Sequence, residues 1–155
     1  MNQTSIITVN GSILDCSIAE AVAVIVPPGL TALKPEGEMF FEKITGRLPQ
    51  DTFDLVQVKS GNGILRYILY ADTSDNLISN IKDMKELVCR ILKAFAGLGV
   101  KEIAMNGVRC DDRPDMKIRP EKYQRQIIER YVAENPESFD KIALVDLRGG
   151  FSKNQ

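Results

Sequence analysis

Charged and nucleophilic side chains concentrate in one short stretch of the sequence. Arg109, Cys110, Asp111, Asp112 and Arg113 follow one another directly. The two carboxylates could hold a divalent cation or a cationic group, and the two guanidinium groups could form forked hydrogen bonds to a carboxylate or a phosphate. The alternative is a solvated loop whose charges compensate one another, which is what mixed-sign runs usually form. Taken alone, the residue types favour the solvated loop.

Two further stretches carry residues that could contact a ligand. Gly37 lies at the start of a predicted helix, where backbone N–H groups can bind an anion, although Glu36 and Glu38 would repel a phosphate there. Near the C-terminus, Asp146 could accept hydrogen bonds from a ribose or a base, and the ring of Phe151 could stack. The plain alternatives, which the residue types favour, are a simple helix start, a carboxylate that caps a turn and a ring that covers the sheet edge.

The composition excludes several kinds of site. The chain has no histidine, so Ser-His-Asp and Cys-His catalysis cannot be built within it, and the commonest metal ligand is missing. Its three cysteines have no Cys-x-x-Cys spacing and an odd count. They therefore indicate a reduced compartment and neither a disulfide framework nor a zinc site. We expect no metal and no organic cofactor.

The overall charge and hydropathy describe an ordinary globular chain. With a net charge of −1, the chain has no general attraction for nucleic acid or anionic lipid. The N-terminus lacks the basic and apolar regions of a signal peptide, and no apolar run approaches the ~20 residues of a membrane span. We expect one cytoplasmic domain over residues 1–155, with a flexible tail from about residue 149.

The elements that must position these residues alternate between strands and helices, which predicts an α/β fold. β-branched or apolar runs predict strands at residues 5–9, 21–26, 102–108 and 141–147. Residues 21–26 form an unbroken apolar run, which is typical of a strand covered on both faces. A further pair of runs, at 54–59 and 64–71, flanks Ser-Gly-Asn-Gly, so this pair is predicted to form an antiparallel hairpin.

Three helices are predicted between these strands. The first spans residues 37–46 and ends at a glycine, and the second carries an apolar stripe from Leu77 to Leu98 after a cap at Ser74 or Asp75. The third begins at Pro120 and is stopped by Pro136. In such a sheet, ligands gather outside the carboxyl ends of the strands, so the three candidate stretches are expected to converge at one rim.

Four strings of the sequence resemble the macro domain, a module that binds ADP-ribose. They are Asn-Gly-Ser-Ile at 10–13, Ala-Val-Ile-Val at 23–26, Ile-Ala-Met-Asn-Gly-Val at 103–108 and Ile-Ala-Leu-Val at 142–145. The resemblance covers most of the chain, from about Ile6 to Asp146. It implies a three-layer αβα fold around a mixed six-stranded sheet with one antiparallel hairpin.

The chain departs from the family where the family binds its ligand. The adenine-binding aspartate of the family matches Ser12, and its two asparagines match Pro27 and Leu30. Its triple-glycine loop is reduced to Lys-Pro-Glu-Gly at 34–37, and its second phosphate loop is replaced by the stretch at 109–114. Carboxylates beside a diphosphate add repulsion of roughly 1 to 4 kcal/mol per close pair, which is comparable to the gain from a good amide contact.

The resemblance therefore implies a divergent macro-like binding or interaction module for ADP-ribose or a related nucleotide, without hydrolase activity. One alternative is a hydrolase that uses the 109–113 loop on an ADP-ribosylated or phosphorylated substrate. Another is a protein–protein scaffold, with a homodimer as one form, that has no small-molecule ligand. The residues expected to contact a ligand are Ser12, Gly37, Arg109, Asp111, Asp112, Arg113, Asp146 and Phe151.

Overall fold

The structure, a computed structural model, describes residues 4–15, 19–26, 33–58, 64–73, 81–107 and 120–146. Its strands are β1 (Ser5–Asn10), β2 (Ala21–Val26), β3 (Phe53–Gln57), β4 (Tyr67–Asp72), β5 (Glu102–Asn106) and β6 (Lys141–Asp146). Its helices are α1 (Leu33–Thr45), α2 (Ile81–Gly97) and α3 (Pro120–Glu134), and a single turn of 3-10 helix spans Ile13–Asp15.

The strands form one six-stranded sheet in the order β1-β6-β5-β2-β4-β3. Neighbours pair in parallel throughout, except that β3 runs antiparallel to β4. The predicted α/β class, the mixed sheet and the antiparallel pair are therefore confirmed. The turn of the hairpin, residues 59–63, lies outside the described part of the chain.

The helices cover both faces of the sheet and make three layers. Alternate residues of β2 point to opposite faces, and all six are buried. Ala21, Ala23 and Ile25 belong to a core cluster with α2 and α3, whereas Val22, Val24 and Val26 pack with α1 and the 3-10 turn. The unbroken apolar run is thus explained by a central strand with a layer on each side. None of the described helices is both long and apolar enough to cross a membrane.

Helix α1 begins four residues before the predicted start. Pro35 lies in its first turn, where a backbone N–H would have no helical acceptor. The N–H that proline lacks is therefore not needed there, and the fixed φ of proline suits the helix. The sequence was interpreted as a loop up to Gly37, but these residues start the helix. Gly46 ends it as predicted, with a φ of +85° that a side chain would strain, while its N–H bonds to the carbonyl of Glu42.

The amino ends of three strands are held together by Glu20. One oxygen of its carboxylate accepts the backbone N–H groups of Lys101 and Glu102 at 3.1 and 3.3 Å, and the other accepts Arg66 at 3.2 Å. Its own backbone carbonyl accepts the N–H groups of Arg66 and Tyr67. Several hydrogen bonds hold the pKa of Glu20 below its ordinary value, and the one from the N–H of Lys101 has the largest effect. Burial of the carboxylate acts in the opposite direction and raises the pKa. A single residue therefore joins the starts of β2, β4 and β5.

We expect Glu20→Gln to destabilise the fold by about 1 kcal/mol at pH 7, because charge-assisted hydrogen bonds become neutral ones. A carboxyl whose pKa is lowered by folding stabilises the folded state above its unfolded pKa, and this contribution is lost as the pH falls through the folded pKa. The difference from wild type should therefore shrink between pH 7 and pH 3 in urea unfolding. Glu42→Gln, at an exposed position of α1, is the control. An equal difference at both pH values would contradict the assignment.

Candidate functional site

The order of the strands places a topological switch point between β2 and β5. Helix α1, which follows β2, packs on one face of the sheet through Phe41, and α3, which follows β5, packs on the other face through Ile128. The two connections leave adjacent parallel strands in opposite directions. In open α/β sheets such a switch point, at the carboxyl ends of the strands, is where ligands bind. The topology therefore places the candidate site at the ends of these two strands.

Asn106 bridges the two strands where their backbone pairing ends. The backbone pairing of β2 with β5 stops at Ala23 and Met105. Beyond that point, the side-chain amide of Asn106 donates to the carbonyl of Ile25 at 2.7 Å, and its oxygen accepts the N–H of Ile25 at 2.7 Å. The side chain therefore takes over the next pair of ladder bonds, and the backbone of β5 is free to diverge from β2.

A buried glutamine supports this arrangement from behind. Gln124 of α3 is fully buried and donates to the backbone carbonyl of Asn106 at 3.0 Å. The same amide nitrogen lies 3.5 Å from the sulfur of Met105. Because the amide bonds the end of β5 directly, α3 fixes where that strand ends. The carboxyl ends of β2 and β5 are thus held by side chains from two elements as well as by the sheet ladder.

Ser12 and Asp146 lie at the far side of the same rim. β1 and β6 pair with Asn10 opposite Asp146, so residues near the two ends of the chain become neighbours. Ser12 follows two residues later, is half-buried, and its hydroxyl oxygen accepts the N–H of Leu14 at 3.2 Å. It therefore caps the 3-10 turn and keeps its hydroxyl proton to donate. The backbone of Asp146 is described, whereas its side chain lies outside the described part.

Gly37 lies in α1 and packs against the sheet. A Cβ atom at this position would lie 3.4 Å from Val24 and 3.5 Å from the ring of Tyr70. These are ordinary van der Waals distances, so a methyl group would fit between α1 and the sheet at this position. The ring of Tyr70 lies edge-on to Phe41, with 6.0 Å between ring centroids. The described contacts of Gly37 are thus apolar ones with the sheet, and its role in binding stays a prediction.

The end of β4 adds polar groups to this side of the rim. Thr73 donates its backbone N–H and its hydroxyl to the carbonyl of Val26, at 2.9 and 2.5 Å, and thereby joins the ends of β4 and β2. The preceding residue, Asp72, is buried and carries a carboxylate near Tyr70. Glu38 of α1 is a second carboxylate near that ring. The two carboxylates would disfavour a phosphate placed beside it.

Five of the expected ligand-binding residues lie outside the described part of the chain, namely Arg109, Asp111, Asp112, Arg113 and Phe151. Their roles stay predictions. Among the described residues, no three Cys, Asp or Glu side chains are grouped so that they could hold a metal ion.

Sequence reasoning did not single out two residues that the structure places at the rim. Asn106 is a polar residue at the end of an otherwise apolar run, which was a usable signal for a special role. Tyr70 gave no signal, because a tyrosine in a strand is ordinary. Only the packing of α1 over β4 shows that its ring is covered by a helix.

Comparisons with known proteins identify the fold and not a close relative. Neither a protein-family model nor a curated protein matches the sequence. Among solved structures, the macrodomain of Trypanosoma brucei in complex with ADP-ribose is 12% identical, with a TM-score of 0.66, over 92% of this chain and 63% of that one. The same macrodomain in complex with ADP is 12% identical, with a TM-score of 0.65, and the match covers 97% of this chain and 65% of that one. The chain therefore spans about two thirds of the length of these structures.

The macrodomain of Mycobacterium tuberculosis DarG has a more similar length. It is 13% identical, with a TM-score of 0.60, and the match covers 91% of this chain and 97% of that one. At these identities the comparisons establish architecture alone. Since the strand order, the single antiparallel pair and the helices on both faces agree with that architecture, this chain has the macro-domain fold.

Proposed function

We propose that the protein is a macro-like binding module for ADP-ribose or a related nucleotide, and that it does not hydrolyse its ligand. The observation that carries this proposal is the register of β1 with β6, because it brings Ser12 and Asp146 to one rim beside the switch point between β2 and β5. Structures of the same fold hold ADP and ADP-ribose. A nucleotide along this rim would run from Ser12 towards α1.

The lack of hydrolysis follows from the residue types. The chain contains no histidine, and Pro27 and Leu30 stand where the resemblance implies asparagines that could orient a ribose or a water. Neither side chain can donate or accept a hydrogen bond. The carboxylates of Glu38 and Asp72 also disfavour a diphosphate beside the ring of Tyr70. The protein is therefore expected to hold its ligand without turning it over.

Binding can be tested by thermal unfolding with ADP-ribose. A ligand present at 100 times its dissociation constant stabilises the folded state by about 2.7 kcal/mol, which raises the midpoint by several degrees. Incubation of an ADP-ribosylated protein substrate with the chain should release no ADP-ribose. An unchanged midpoint at millimolar ADP-ribose would contradict the binding proposal, and release of ADP-ribose would contradict the proposed lack of hydrolysis.

We expect Ser12→Asp to strengthen ADP-ribose binding about 10-fold. The resemblance places the adenine-binding carboxylate at this position, and a charge-assisted hydrogen bond is roughly twice as strong as a neutral one. Aspartate caps a helical turn as well as serine does, so the 3-10 turn should be preserved. Isothermal titration measures the affinity, and Ser138→Asp, in the loop before β6, is a control for the added charge. Equal affinities for Ser12→Asp and wild type would place the adenine elsewhere.

A further inference from the structure

A groove runs between α2 and α3, on the face of the sheet opposite α1. It has a volume of about 260 Å³ and is lined from α2 by Lys85 and Cys89 and from α3 by Tyr123, Ile127 and Tyr131. The three α3 side chains pack against the core but are only partly buried. We call them the apolar floor, since they leave apolar surface open to a side chain from another molecule.

The groove continues along α2 through a second hollow, which shares Lys85 and Cys89 with the first. Lys82 and Lys93 also line this second hollow. We call Lys82, Lys85 and Lys93 the lysine row. Its outer members are 11 residues apart in one helix, so the row is about 16 Å long at a rise of about 1.5 Å per residue.

The charge of the lysine row is not compensated. All three lysines are exposed, and within the described part of the chain none of them forms an ion pair. In α3, by contrast, Arg125 and Arg130 pair with glutamates one turn further on, at 3.6 and 3.2 Å. α2 carries four basic and two acidic side chains, a net charge of +2 in a chain whose total is −1. The groove would therefore attract a negatively charged partner.

The length of the row indicates what kind of partner fits. A single carboxylate or phosphate cannot contact cations spread over about 16 Å, whereas an extended peptide spans that length in about five residues. A nucleic acid carries a phosphate at every nucleotide, and Glu86 and Glu134, which also line the groove, would repel some of them. A peptide can place its carboxylates at the lysines and an apolar side chain on the floor.

We propose that the groove between α2 and α3 binds an acidic segment of a partner protein. Carboxylates of the segment contact the lysine row, and one of its apolar side chains packs on the apolar floor. The groove shares no residue with those expected to contact a nucleotide, so this site is a second one. The inference goes beyond nucleotide binding and does not depend on it.

The test is a titration of the full chain with a fluorescein-labelled eight-residue peptide of glutamate and leucine, followed by fluorescence anisotropy. Lys85→Glu should weaken binding at least about 10-fold, because it replaces an attraction in the middle of the row by a repulsion. Lys43→Glu is the matched control, since it makes the same charge change at an exposed position of α1. It should change the affinity by less than about 2-fold, because salt screens charges on the opposite face.

Two further measurements test the apolar contact and the location. A peptide with glycine in place of leucine should bind at least about 5-fold more weakly, since a buried apolar side chain contributes about 1.5 to 3 kcal/mol. The bound glutamate–leucine peptide should also slow the alkylation of Cys89 by iodoacetamide, because Cys89 lines both hollows. Mass spectrometry of the fragment that contains Cys89 measures this protection.

Weaker binding to Lys85→Glu but not to Lys43→Glu, together with protection of Cys89, supports the proposal. No binding at millimolar peptide, equal effects of the two charge reversals, equal binding of the glycine peptide or unchanged alkylation of Cys89 would each overturn it. A single-stranded oligothymidylate that binds as tightly as the peptide would also overturn it, because the groove would then attract polyanions in general. None of these results bears on the binding of ADP-ribose.

Discussion

Asn106→Leu is expected to lower the free energy of unfolding by about 3 kcal/mol. The substitution removes the hydrogen bonds from the side chain to both backbone groups of Ile25, a residue that is fully buried. A buried N–H and a buried carbonyl would be left without partners, at about 1 to 3 kcal/mol each, and partial relaxation of the strands reduces the sum. Urea unfolding followed by circular dichroism measures the change.

The chain offers a matched control for this substitution. Asn135 follows α3, and its side chain donates one exposed hydrogen bond to the carbonyl of Tyr131. Asn135→Leu should change the stability by no more than about 0.5 kcal/mol. If both variants lose similar amounts, the amide of Asn106 is not the bridge between β2 and β5.

The direction of the two hydrogen bonds can be checked with Asn106→Asp. A carboxylate can still accept the N–H of Ile25, but it would repel the carbonyl that now receives the amide proton. Folding should therefore raise the pKa of the introduced carboxyl. Stability is then present below its unfolded pKa and is lost as the pH rises through the folded one. The deficit relative to wild type should be larger at pH 7 than at pH 4.

Phe41→Ala is expected to cost about 3 to 5 kcal/mol, the range for a fully buried phenylalanine. Phe41 packs α1 against the sheet. Its ring contacts the ring of Tyr70 edge-on, and the guanidinium of Arg47 lies 5.5 Å from the centroid of the Phe41 ring. Its removal leaves a cavity under the helix that borders the rim. Stability is measured by urea unfolding, and ADP-ribose binding should weaken as well, because α1 loses its main contact.

The neighbouring residue provides the control. Phe40 lies beside Phe41 in the same helix and is only partly buried against the same cluster. Phe40→Ala should therefore cost less than half as much, since less apolar surface is lost and no enclosed cavity forms. Similar losses of stability for the two variants would mean that Phe41 is not the residue that anchors α1 on the sheet.

The local elements of the fold could be predicted because their signals are local. The bounds of β2 follow from its apolar run alone, and α3 begins at the proline that suits a first helical turn. β4 begins three residues later than predicted, at Tyr67, where its assigned pairing with Gln57 of β3 begins. Just before it, the N–H of Val58 still donates to the carbonyl of Arg66 at 2.7 Å. Hydrophobicity indicated a strand there, but pairing partners decide where a strand starts.

The sequence could predict the edge of the sheet at which candidate residues lie, but not whether they bind a ligand. Ser12 lies two residues after β1 and Asp146 ends β6, while the roles of the candidate residues stay predictions. The roles of Asn106 and Tyr70 depend on register and on helix placement. Whether an asparagine bridges two strands depends on where their pairing stops, and whether a tyrosine ring is covered depends on the helix that packs on it. Neither property can be read from the few residues that surround Asn106 or Tyr70 in the sequence.

Glu20 fastens the sheet at the edge opposite the proposed binding site. Its bonds fasten three strands at their amino ends, opposite the edge where nucleotides would enter. Changes at sites that share no partners usually have additive effects on stability. Substitutions at the carboxyl edge that leave Asn106 and Thr73 in place should therefore leave the bonds of Glu20 intact. This arrangement gives a physical route by which one architecture can exchange its ligand and still fold.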